Sequence, residues 1–381
     1  MVESACTDSA YQVIGNSDTF KKGETKLKKI ILTGGGTAGH VTPNIALIPT
    51  LKEMGYDIHY IGSHNGIEKK LITEIGIPYY GISSGKLRRY FDPKNFSDPF
   101  RVIKGMGDAE RLILKLKPNV VFSKGGFVSV PVVLEASFHK VPVVIHESDM
   151  TPGLANRIAL PRASRVCCNF PETAERFPEG IATVTGTPIR KELYEGKADR
   201  AFSYCGFTEK KPTILVVGGS TGSVSVNNAI HHALPELLKT FNVIHICGEG
   251  KADPAKNGTP GYAQFEYVKE QLADMFALAD IVISRAGANA ICELRALQKP
   301  NILVPLGLDA SRGDQILNAE SFEKSGFSKV VKDDELSDET ILSAIKDVQD
   351  NKDKYIKAMK DSSGEDAISM ICSIIDSVAK K

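Results

Sequence analysis

Two glycine-rich segments, about 180 residues apart, each follow a short apolar run and precede a helical pattern. The first is KKIILTGGGTAGH at 28–40, and the second is TILVVGGSTGS at 213–223. A turn without side-chain bulk between a strand and a helix lets backbone N–H groups point at a phosphate, and the helix dipole favours the anion there. Two such junctions at this separation predict two Rossmann-like domains that face each other across a cleft.

Short apolar runs alternate with helical patterns along the whole chain, which is typical of βαβ units and parallel sheets. Many of these runs are apolar on both faces, as buried parallel strands are. The pattern therefore predicts an α/β fold with one parallel sheet in each half. The predicted strands are 28–32, 57–61, 120–123, 141–146 and 165–169, then 214–217, 242–247, 264–268, 281–284 and 302–305.

A charged stretch that ends in proline, at 187–212, separates the two series of strands and predicts a linker. We expect an N-terminal domain over 28–188 and a C-terminal domain over 189–360. Apolar residues at helical spacing predict an amphipathic helix over 365–379, which could pack on either domain. Residues 1–27 are polar and aperiodic and lack the apolar core of a secretory signal, so we expect a disordered leader there.

Composition excludes several classes of protein. Of the 381 residues 42% are hydrophobic and 24% charged, and the formal net charge is +1, so no global charge attracts nucleic acid or membrane. No apolar run reaches the roughly 18 residues of a membrane-spanning helix. Seven cysteines show no CxxC pairing, which indicates reduced thiols in a cytosolic protein.

The first glycine loop satisfies GxGxxG after a strand, but a dinucleotide site also needs a carboxylate near the end of the second strand. That strand runs into Gly62-Ser63-His64, so NAD binding is not predicted. The loop ends in His40, at the start of a helix. This histidine could act as a base, donate a hydrogen bond to a phosphate, or cap its own loop.

Polar residues follow two other strands of the first half. The segment SKGGF at 123–127 predicts a second close-approach turn, and His146, Glu147 and Asp149 follow a buried strand. His146 lies on the opposite strand face from Glu147 and Asp149, so a shared metal ion is not expected. No Asp-x-Asp occurs in the chain, which argues against a divalent ion that carries a diphosphate.

In the second half, Ser220 can add a hydroxyl donor to the glycine loop, and a helix is predicted to begin near Ala288. Glu293 lies about one turn into that helix, where its carboxylate either accepts two ribose hydroxyls or belongs to a solvated face. Gln315 opens another helix, and its amide can donate to and accept from a sugar hydroxyl.

Residues 69–104 contain eight Lys or Arg and three Asp or Glu, a local charge of +5, interleaved with aromatic side chains. Basic and aromatic residues together suit an anionic bilayer surface, but a solvated loop has the same composition. The mix also suits single-stranded nucleic acid. Because no nucleic-acid motif surrounds it, no nucleic-acid partner is predicted.

Taken in order, seven segments resemble a known family, the peptidoglycan enzymes that transfer N-acetylglucosamine from UDP-GlcNAc to lipid I. The segments are GGGTAGHVTPNIAL, GGFVSVP, HESDMTPGLANR, GTPIR, VVGGSTGSVSVN, SRAGANAICEL and GDQILNA. The resemblance runs from about residue 28 to the C-terminus. It implies a GT-B fold, inverting transfer without a metal or other cofactor, and a peripheral position on the cytoplasmic side of the cell membrane.

The resemblance also implies roles for individual residues. The acceptor, lipid I, and the membrane would contact the first domain, UDP-GlcNAc would bind mainly to the second, and the last helix would return to the first. His40 is the first candidate for the catalytic base, with Asp149 or Glu147 as alternatives. The implied substrate-binding residues are Thr37, Ala38, Gly39, Asp149, Arg190, Ser220, Val268, Ala288, Asn289, Ala290, Glu293 and Gln315.

Two positions depart from the family pattern. Ala38 stands where many members have glycine, which slightly crowds the loop. Asp149 stands where many have asparagine, and because a carboxylate cannot donate, it would accept a proton from a sugar hydroxyl instead. The alternative functions are another GT-B enzyme, such as a lipid glycosyltransferase or a UDP-GlcNAc 2-epimerase, a nicotinamide dehydrogenase, and a UDP-sugar binding module without turnover.

Overall fold

The computed structural model describes residues 27–85, 98–219, 221–308, 313–362, 364 and 366–381, with the backbone alone at 98–100. Its strands form two sheets, and every strand pairing in them is parallel. Helices connect the successive strands. The predicted α/β class with two Rossmann-like domains is therefore confirmed.

The first sheet has seven strands in the order β3-β2-β1-β4-β5-β6-β7. The strands are β1 Lys28–Thr33, β2 Tyr56–Ser63, β3 Tyr79–Ile82, β4 Val120–Ser123, β5 Val143–Glu147, β6 Arg165–Cys168 and β7 Ala182–Val184. Strand order reverses between β1 and β4, whose last residues, Thr33 and Ser123, are paired. Open α/β sheets bind ligands beyond the carboxyl ends of strands at such a point. The first glycine loop and the 123–127 turn meet there.

The second sheet has six strands in the order β10-β9-β8-β11-β12-β13. They are β8 Thr213–Val217, β9 Asn242–Ile246, β10 Tyr262–Phe265, β11 Ile281–Ser284, β12 Asn301–Leu303 and β13 Lys329–Val330. Its order reverses between β8 and β11, where Val217 pairs with Ser284. The second glycine loop and the turn before residue 288 therefore lie side by side.

Helices cover both faces of each sheet. Those of the first half are α1 Thr42–Glu53, α2 Ile67–Glu74, α3 Asp98–Leu116, α4 Ser129–Phe138, α5 Leu154–Ala159 and α6 Pro171–Ala174. Those that follow are α7 Ala198–Tyr204, α8 Val224–Thr240, α9 Leu272–Leu278, α10 Ala288–Ala296, α11 Asp314–Lys324, α12 Asp338–Asp350, α13 Lys352–Asp361 and α14 Ala367–Val378.

Buried strand residues alternate between two apolar clusters, one on each face of the first sheet. Ile30 and Leu32 belong to one cluster and Ile31 to the other, and all three are fully buried. The cluster with Ile30 also contains Ile371 and Ile375 of the last helix, α14. The chain therefore returns to the first domain at its end, and that core is built from both ends of the described sequence.

Most predicted strands lie within about two residues of those in the structure, but the strand predicted at 264–268 was placed two to three residues too late in the chain. Strand β10 begins earlier, at Tyr262, which pairs with Val243 and is buried. Three strands were not predicted, namely β3, β7 and β13. All three are edge strands, and all three are short and mostly half-buried, so no apolar run marks them.

The segment predicted as a linker is folded. It contains α7 and a short 3-10 turn at Lys191–Tyr194, and Leu193 and Ala201 are buried in the core of the second domain. Phe170 of the first half lies in the same cluster and packs edge-to-face on Phe322 of α11, with ring centroids 6.0 Å apart. The two halves thus share apolar contacts where the chain crosses between them.

The described cysteines are all free thiols, and five of the six are buried, as predicted for reduced thiols. Within the described ranges, none of the helices combines the length and the apolar character needed to span a membrane.

Candidate active site

A cavity between the two domains is lined by residues from both glycine-rich junctions. Ala38 and Thr42 come from the first, and Gly219 from the second, while Arg190 and Val268 complete the wall. Three residues predicted to bind substrate, Ala38, Arg190 and Val268, therefore share one cleft. Ser220, the residue after Gly219, lies outside the described residues, so its predicted contact remains a prediction.

A second cavity lies within the first domain, beside the same glycine loop. Thr37 and His40 line it together with Ser63, Glu68 and the turn that follows β4. The two turns touch: Gly126 has a positive φ of 85°, and a Cβ there would lie 2.4 Å from the carbonyl oxygen of Gly35. Only glycine fits this contact, which brings the first glycine loop and the 123–127 turn together as one wall.

His40 is held by one partner in this cavity. Its Nδ1 lies 2.9 Å from the hydroxyl of Thr37, and among the described residues its Nε2 has no hydrogen-bond partner. Burial, followed by the charge of Lys124, lowers the pKa of His40 to about 4, and the charge of Glu68 opposes this shift. The imidazole is therefore neutral at pH 7, with a lower pKa than the reference value on which the sequence prediction relied.

The buried carboxylate of Glu68 was not predicted from the sequence. Its side chain is fully buried in the first turn of α2, where Oε2 accepts from Gly36 N at 3.3 Å and Oε1 accepts from Ser63 N at 3.0 Å. The hydroxyl of Ser63 also donates to Oε1. The sequence signal for it is a carboxylate in the first turn of the helix after β2, beyond the strand end at which the dinucleotide pattern places its acidic residue.

Glu147 organises the loop after β5. Its Oε1 accepts from the backbone N–H of Ser148 at 2.8 Å and of Asp149 at 3.0 Å, and its Oε2 accepts from Gly153 N and Asn156 Nδ2, each at 2.9 Å. Burial raises the pKa of this carboxyl. Four donors occupy the two oxygens of Glu147. This arrangement suits a carboxylate with a structural role better than one that acts as the catalytic base in place of His40.

A buried lysine lies behind this loop. The Lys124 ammonium donates to Nδ1 of His146 at 2.8 Å and to the hydroxyl of Ser148, and burial lowers its pKa to about 8. His146 Nε2 in turn donates to the carbonyl of Gly186 at 2.9 Å, in the segment that leads to the second domain. Because both ring nitrogens of His146 are occupied, this histidine is not available to a metal ion.

Asp149 is engaged across the domain boundary. Its Oδ1 accepts from Nδ2 of Asn318 at 3.2 Å, and the Asn318 Oδ1 accepts from the backbone N–H of Met150 at the same distance. Asn318, in α11, is fully buried. The carboxylate at 149 thus contacts a side-chain amide of the second domain, so its predicted contact with a sugar remains a prediction.

The second glycine loop is fixed by an arginine. Gly222 has a φ of +70°, and a Cβ there would lie 2.0 Å from the carbonyl oxygen of Cys247, so the loop lies directly against the end of β9. Ser223 caps α8, and its hydroxyl accepts from Nη2 of Arg285 at 2.6 Å. Nη1 of Arg285 pairs with Asp333 at 2.8 Å.

Helix α10 begins at Ala288, as predicted, and brings Glu293 towards Arg190. Burial raises the pKa of Glu293 to about 7, and the charge of Arg190 partly opposes the shift. The Arg190 Nε is buried without a hydrogen-bond partner among the described residues. An unpaired buried donor whose charge acts on a carboxyl of raised pKa is typical of a binding site.

The other predicted residues of the second domain lie near this helix or at the start of α11. Ala288 is buried and Ala290 half-buried, while Asn289 reaches the first domain. Gln315 lies in the first turn of α11, and its Oε1 accepts from the backbone N–H of Leu306 at 3.1 Å. This bond orients the amide, while its predicted contact with a sugar remains a prediction.

Two groups of described side chains are close enough together to hold a metal ion, and neither contains a predicted site residue. One is Glu110, Glu135 and His139; the other is His231, His245 and Cys247. In the second group, the Tyr262 hydroxyl already lies within 3.1 Å of both imidazoles.

Comparison with protein-family models matches residues 30–168 to the glycosyltransferase family 28 N-terminal domain and residues 213–372 to the family 28 C-terminal domain. A Lachnoclostridium phytofermentans protein named UDP-N-acetylglucosamine--N-acetylmuramyl-(pentapeptide) pyrophosphoryl-undecaprenol N-acetylglucosamine transferase is 62% identical over 93% of this chain and 100% of its own length. The chain belongs to this transferase family. A relative of the same name from Lachnospira eligens is 60% identical, again over 93% of this chain and its whole length.

Solved structures agree with this membership at the level of the fold. MurG from Acinetobacter baumannii superimposes with a TM-score of 0.72 at 24% identity, over 92% of this chain and 99% of that one. A UDP-N-acetylglucosamine 2-epimerase from Listeria monocytogenes gives 0.68 at 12% identity, over 92% and 96%. These similarities confirm the predicted GT-B fold, and family membership identifies the protein as a glycosyltransferase.

Proposed function

We propose that this chain transfers N-acetylglucosamine from UDP-GlcNAc to the C4 hydroxyl of MurNAc in lipid I, undecaprenyl-diphosphoryl-MurNAc-pentapeptide, and so forms lipid II for peptidoglycan synthesis. The observation that carries this proposal is the 62% identity to a transferase of that name over the whole length of the relative. The cleft supports it, because residues predicted for donor and acceptor line cavities on either side of one glycine loop.

The donor would bind mainly to the second domain. Val268 and the Ala288–Ala290 turn would contact uracil, and Glu293 would accept the ribose hydroxyls. The unpaired Nε of Arg190 and the N–H groups around Gly219 and Ser220 would meet the diphosphate. Gln315 would hold hydroxyls of the GlcNAc.

The acceptor would enter beside Thr37, Ala38 and Gly39, whose N–H groups lie at the switch point of the first sheet. In an inverting transfer, the C4 hydroxyl of MurNAc attacks the anomeric carbon while the bond to the UDP β-phosphate breaks and the electron pair leaves with UDP. His40 would take the hydroxyl proton at Nε2, since Nδ1 faces Thr37. Arg190 and the second glycine loop would stabilise the leaving diphosphate without a divalent ion.

We also propose that the protein is peripheral, on the cytoplasmic face of the membrane, and contacts anionic lipids through residues 69–104. Much of this stretch, including Arg88, Arg89 and Lys94, lies outside the described residues. The C-terminal end of this stretch, in α3, supports contact with a membrane. There Ile103 is 67% exposed and lies beside the exposed Lys104. Basic residues at a bilayer surface each contribute roughly 1 kcal/mol of attraction.

Charge reversal tests the membrane surface. Replacement of Arg88, Arg89 and Lys94 by Glu should reduce sedimentation with phosphatidylglycerol vesicles at least tenfold. The matched control replaces Lys354, Lys357 and Lys360 of α13, which are exposed, by Glu. Equal sedimentation of both triple variants and the unmodified protein would reject this surface.

The activity itself is tested by incubation of radiolabelled UDP-GlcNAc with a short-chain lipid I analogue in the presence of EDTA. We expect a labelled disaccharide lipid at the same rate as without EDTA. If EDTA abolishes transfer and Mg²⁺ restores it, the transfer is correct but its metal independence is wrong. Absence of product with intact UDP-GlcNAc binding by calorimetry would contradict lipid I as acceptor. Conversion of the donor to UDP-ManNAc would instead identify the 2-epimerase.

A further inference from the structure

The starting observation is the unusual environment of Glu68. It is fully buried, while Lys69 and Lys70, the next two residues of α2, are exposed. Among the described residues no cation forms an ion pair with it. A buried carboxylate without a counter-ion costs free energy, even when N–H and O–H groups donate to it. A neutral polar side chain could also accept hydrogen bonds from N–H and O–H groups, so the negative charge of Glu68 needs a separate explanation.

The bonds of Glu68 lead to His40 through one turn. Oε2 accepts from the N–H of Gly36, and the next residue, Thr37, places its hydroxyl 2.9 Å from His40 Nδ1. Gly36 has a φ of +88°, and no atom lies within 4 Å of the position that a Cβ would occupy. Packing against neighbouring side chains therefore does not hold the turn on the Cβ side of Gly36. The carboxylate is thus the group that fixes this turn from the side of β2 and α2.

The same carboxylate faces the cavity in which His40 lies. The charged groups that act on His40 are Lys124, at the end of β4, and Glu68, at the start of α2; Lys124 lowers its pKa and Glu68 raises it. The phenols of Tyr60 and Tyr79 face Glu68 from β2 and β3, and Tyr79 donates to the carbonyl of Ser63. Because both phenols are neutral at pH 7, Glu68 is the negative charge that can stabilise a protonated His40.

We propose that Glu68 is a positioning residue for the transfer: its carboxylate fixes the Gly36–Thr37 turn that orients His40, and its charge stabilises the imidazolium formed when Nε2 takes the acceptor proton. In this step the O–H bond of the C4 hydroxyl breaks, the new N–H bond forms on Nε2, and the imidazolium later returns the proton to solvent. The inference rests on the proposed function and on His40 as the base.

The first test needs no substrate, so it is independent of the proposed acceptor. Imidazole ¹⁵N shifts of His40, followed over pH in the unliganded protein, report its protonation and tautomer. In Glu68→Gln the midpoint should move to lower pH, because removal of a negative charge disfavours the imidazolium. Glu53→Gln, at the exposed end of α1, should leave it unchanged. An unshifted midpoint in Glu68→Gln would overturn the electrostatic role.

The second test uses turnover, relative to an unmodified enzyme that forms lipid II. Glu68→Gln should lower kcat about 10- to 100-fold, leave calorimetric binding of UDP-GlcNAc within about twofold, and shift the acidic limb of the kcat profile to lower pH. Glu68→Asp, which keeps the charge, should retain more activity and covers the case in which the Gln variant does not fold.

Double variants decide whether Glu68 acts through His40. In a His40→Ala background, Glu68→Gln should cause little further loss, since the group it assists is gone. An equal loss in both backgrounds, or an unchanged kcat in Glu68→Gln, would overturn the inference. If the unmodified enzyme forms no lipid II, the proposed function fails, and the ¹⁵N titration still tests the link between the two residues.

Discussion

The side-chain amide of Asn289 donates a 2.8 Å hydrogen bond to the backbone carbonyl of Gly39, from the second domain to the glycine loop of the first. Its Oδ1 also faces the hydroxyl of Thr187, 3.4 Å away, in the segment that crosses between the domains. The start of α10, which is predicted to bind the donor, is therefore tied directly to the loop predicted to bind the acceptor. We therefore expect the relative position of the two substrates to depend on this contact.

Loss of this contact should reduce turnover more than donor binding. For Asn289→Ala we expect kcat/KM for lipid I to fall about tenfold, the value of one hydrogen bond of about 1.4 kcal/mol. Calorimetric binding of UDP, which needs mainly the second domain, should change less than twofold. Asn257→Ala, at an exposed position, is the control. If UDP binding falls as much as turnover, Asn289 is a donor ligand rather than a link between domains.

Donor affinity should depend on pH through Glu293. Because burial raises the pKa of Glu293 to about 7, the carboxyl is increasingly protonated below pH 7 and can no longer accept both ribose hydroxyls. We expect KM for UDP-GlcNAc to rise about tenfold from pH 8 to pH 6, since the ionised fraction falls by that factor. The donor diphosphate does not titrate in this range.

The control for this prediction is Glu293→Gln. Its KM should be high throughout and nearly constant over the same pH range, as measured by steady-state kinetics. A profile in Glu293→Gln that parallels that of the unmodified enzyme would assign the titration to another group.

Arg285 should stabilise both the second domain and the second glycine loop. Nη1 pairs with Asp333, and Nη2 donates to the hydroxyls of Ser223 and Ser225 at 2.6 and 2.9 Å. Lysine keeps the charge, but a single ammonium cannot form the bonds that Nη1 and Nη2 form together. Arg285→Lys should therefore lower the free energy of unfolding by about 2 kcal/mol. Urea unfolding measures this.

The donor KM should rise in the same variant, because the cap of α8 adjoins the glycine loop. Arg165→Lys, an exposed arginine that donates to Ser164 O, is the matched change and should alter neither quantity. A destabilised Arg285→Lys with an unchanged donor KM would mean that the loop does not depend on this arginine.

Helix α14 should determine the stability of the first domain. Ile371 is fully buried among residues of β1, so Ile371→Ala should cost roughly 2–5 kcal/mol. Hydrogen exchange should accelerate at Ile30–Leu32 and stay unchanged in α8. The half-buried Ile374→Ala is the milder control. Faster exchange in α8 as well would mean that the two domains unfold as one unit.

Hydrophobic pattern and turn chemistry predicted the overall fold because most parallel strands are buried on both faces. Ile30, Ile31 and Leu32 illustrate the signal, since no alternation interrupts them. The short edge strands β3, β7 and β13 lacked this signal. The 187–212 segment was predicted as a linker from its charges, and its few buried residues, such as Leu193, were too sparse to indicate a folded segment.

Residues that line a cavity could be predicted where a glycine loop or a motif marked them, as for Thr37 and His40. Residues whose hydrogen-bond partners are distant in sequence could not be predicted. Glu68 is hydrogen-bonded to Gly36, 32 positions away in the sequence, and Asn318 to Asp149, 169 positions away. No local pattern encodes such a pair, because its geometry exists only once the sheets have formed. The lowered pKa of His40 likewise depends on its burial in the folded protein and on the charge of Lys124, a neighbour in space alone.

The return of α14 to the first domain also constrains the order of events during synthesis. On the ribosome, β1 to β7 leave the exit tunnel long before residues 367–378 are translated, so the part of the Ile30 and Leu32 cluster that α14 covers stays exposed while the second domain emerges. Lys28, near the start of the described chain, reaches its partner Asp376 only after the last helix is made. The first domain to be synthesised is therefore the last to be completed, and the nascent protein has an exposed interval in which a chaperone can bind it.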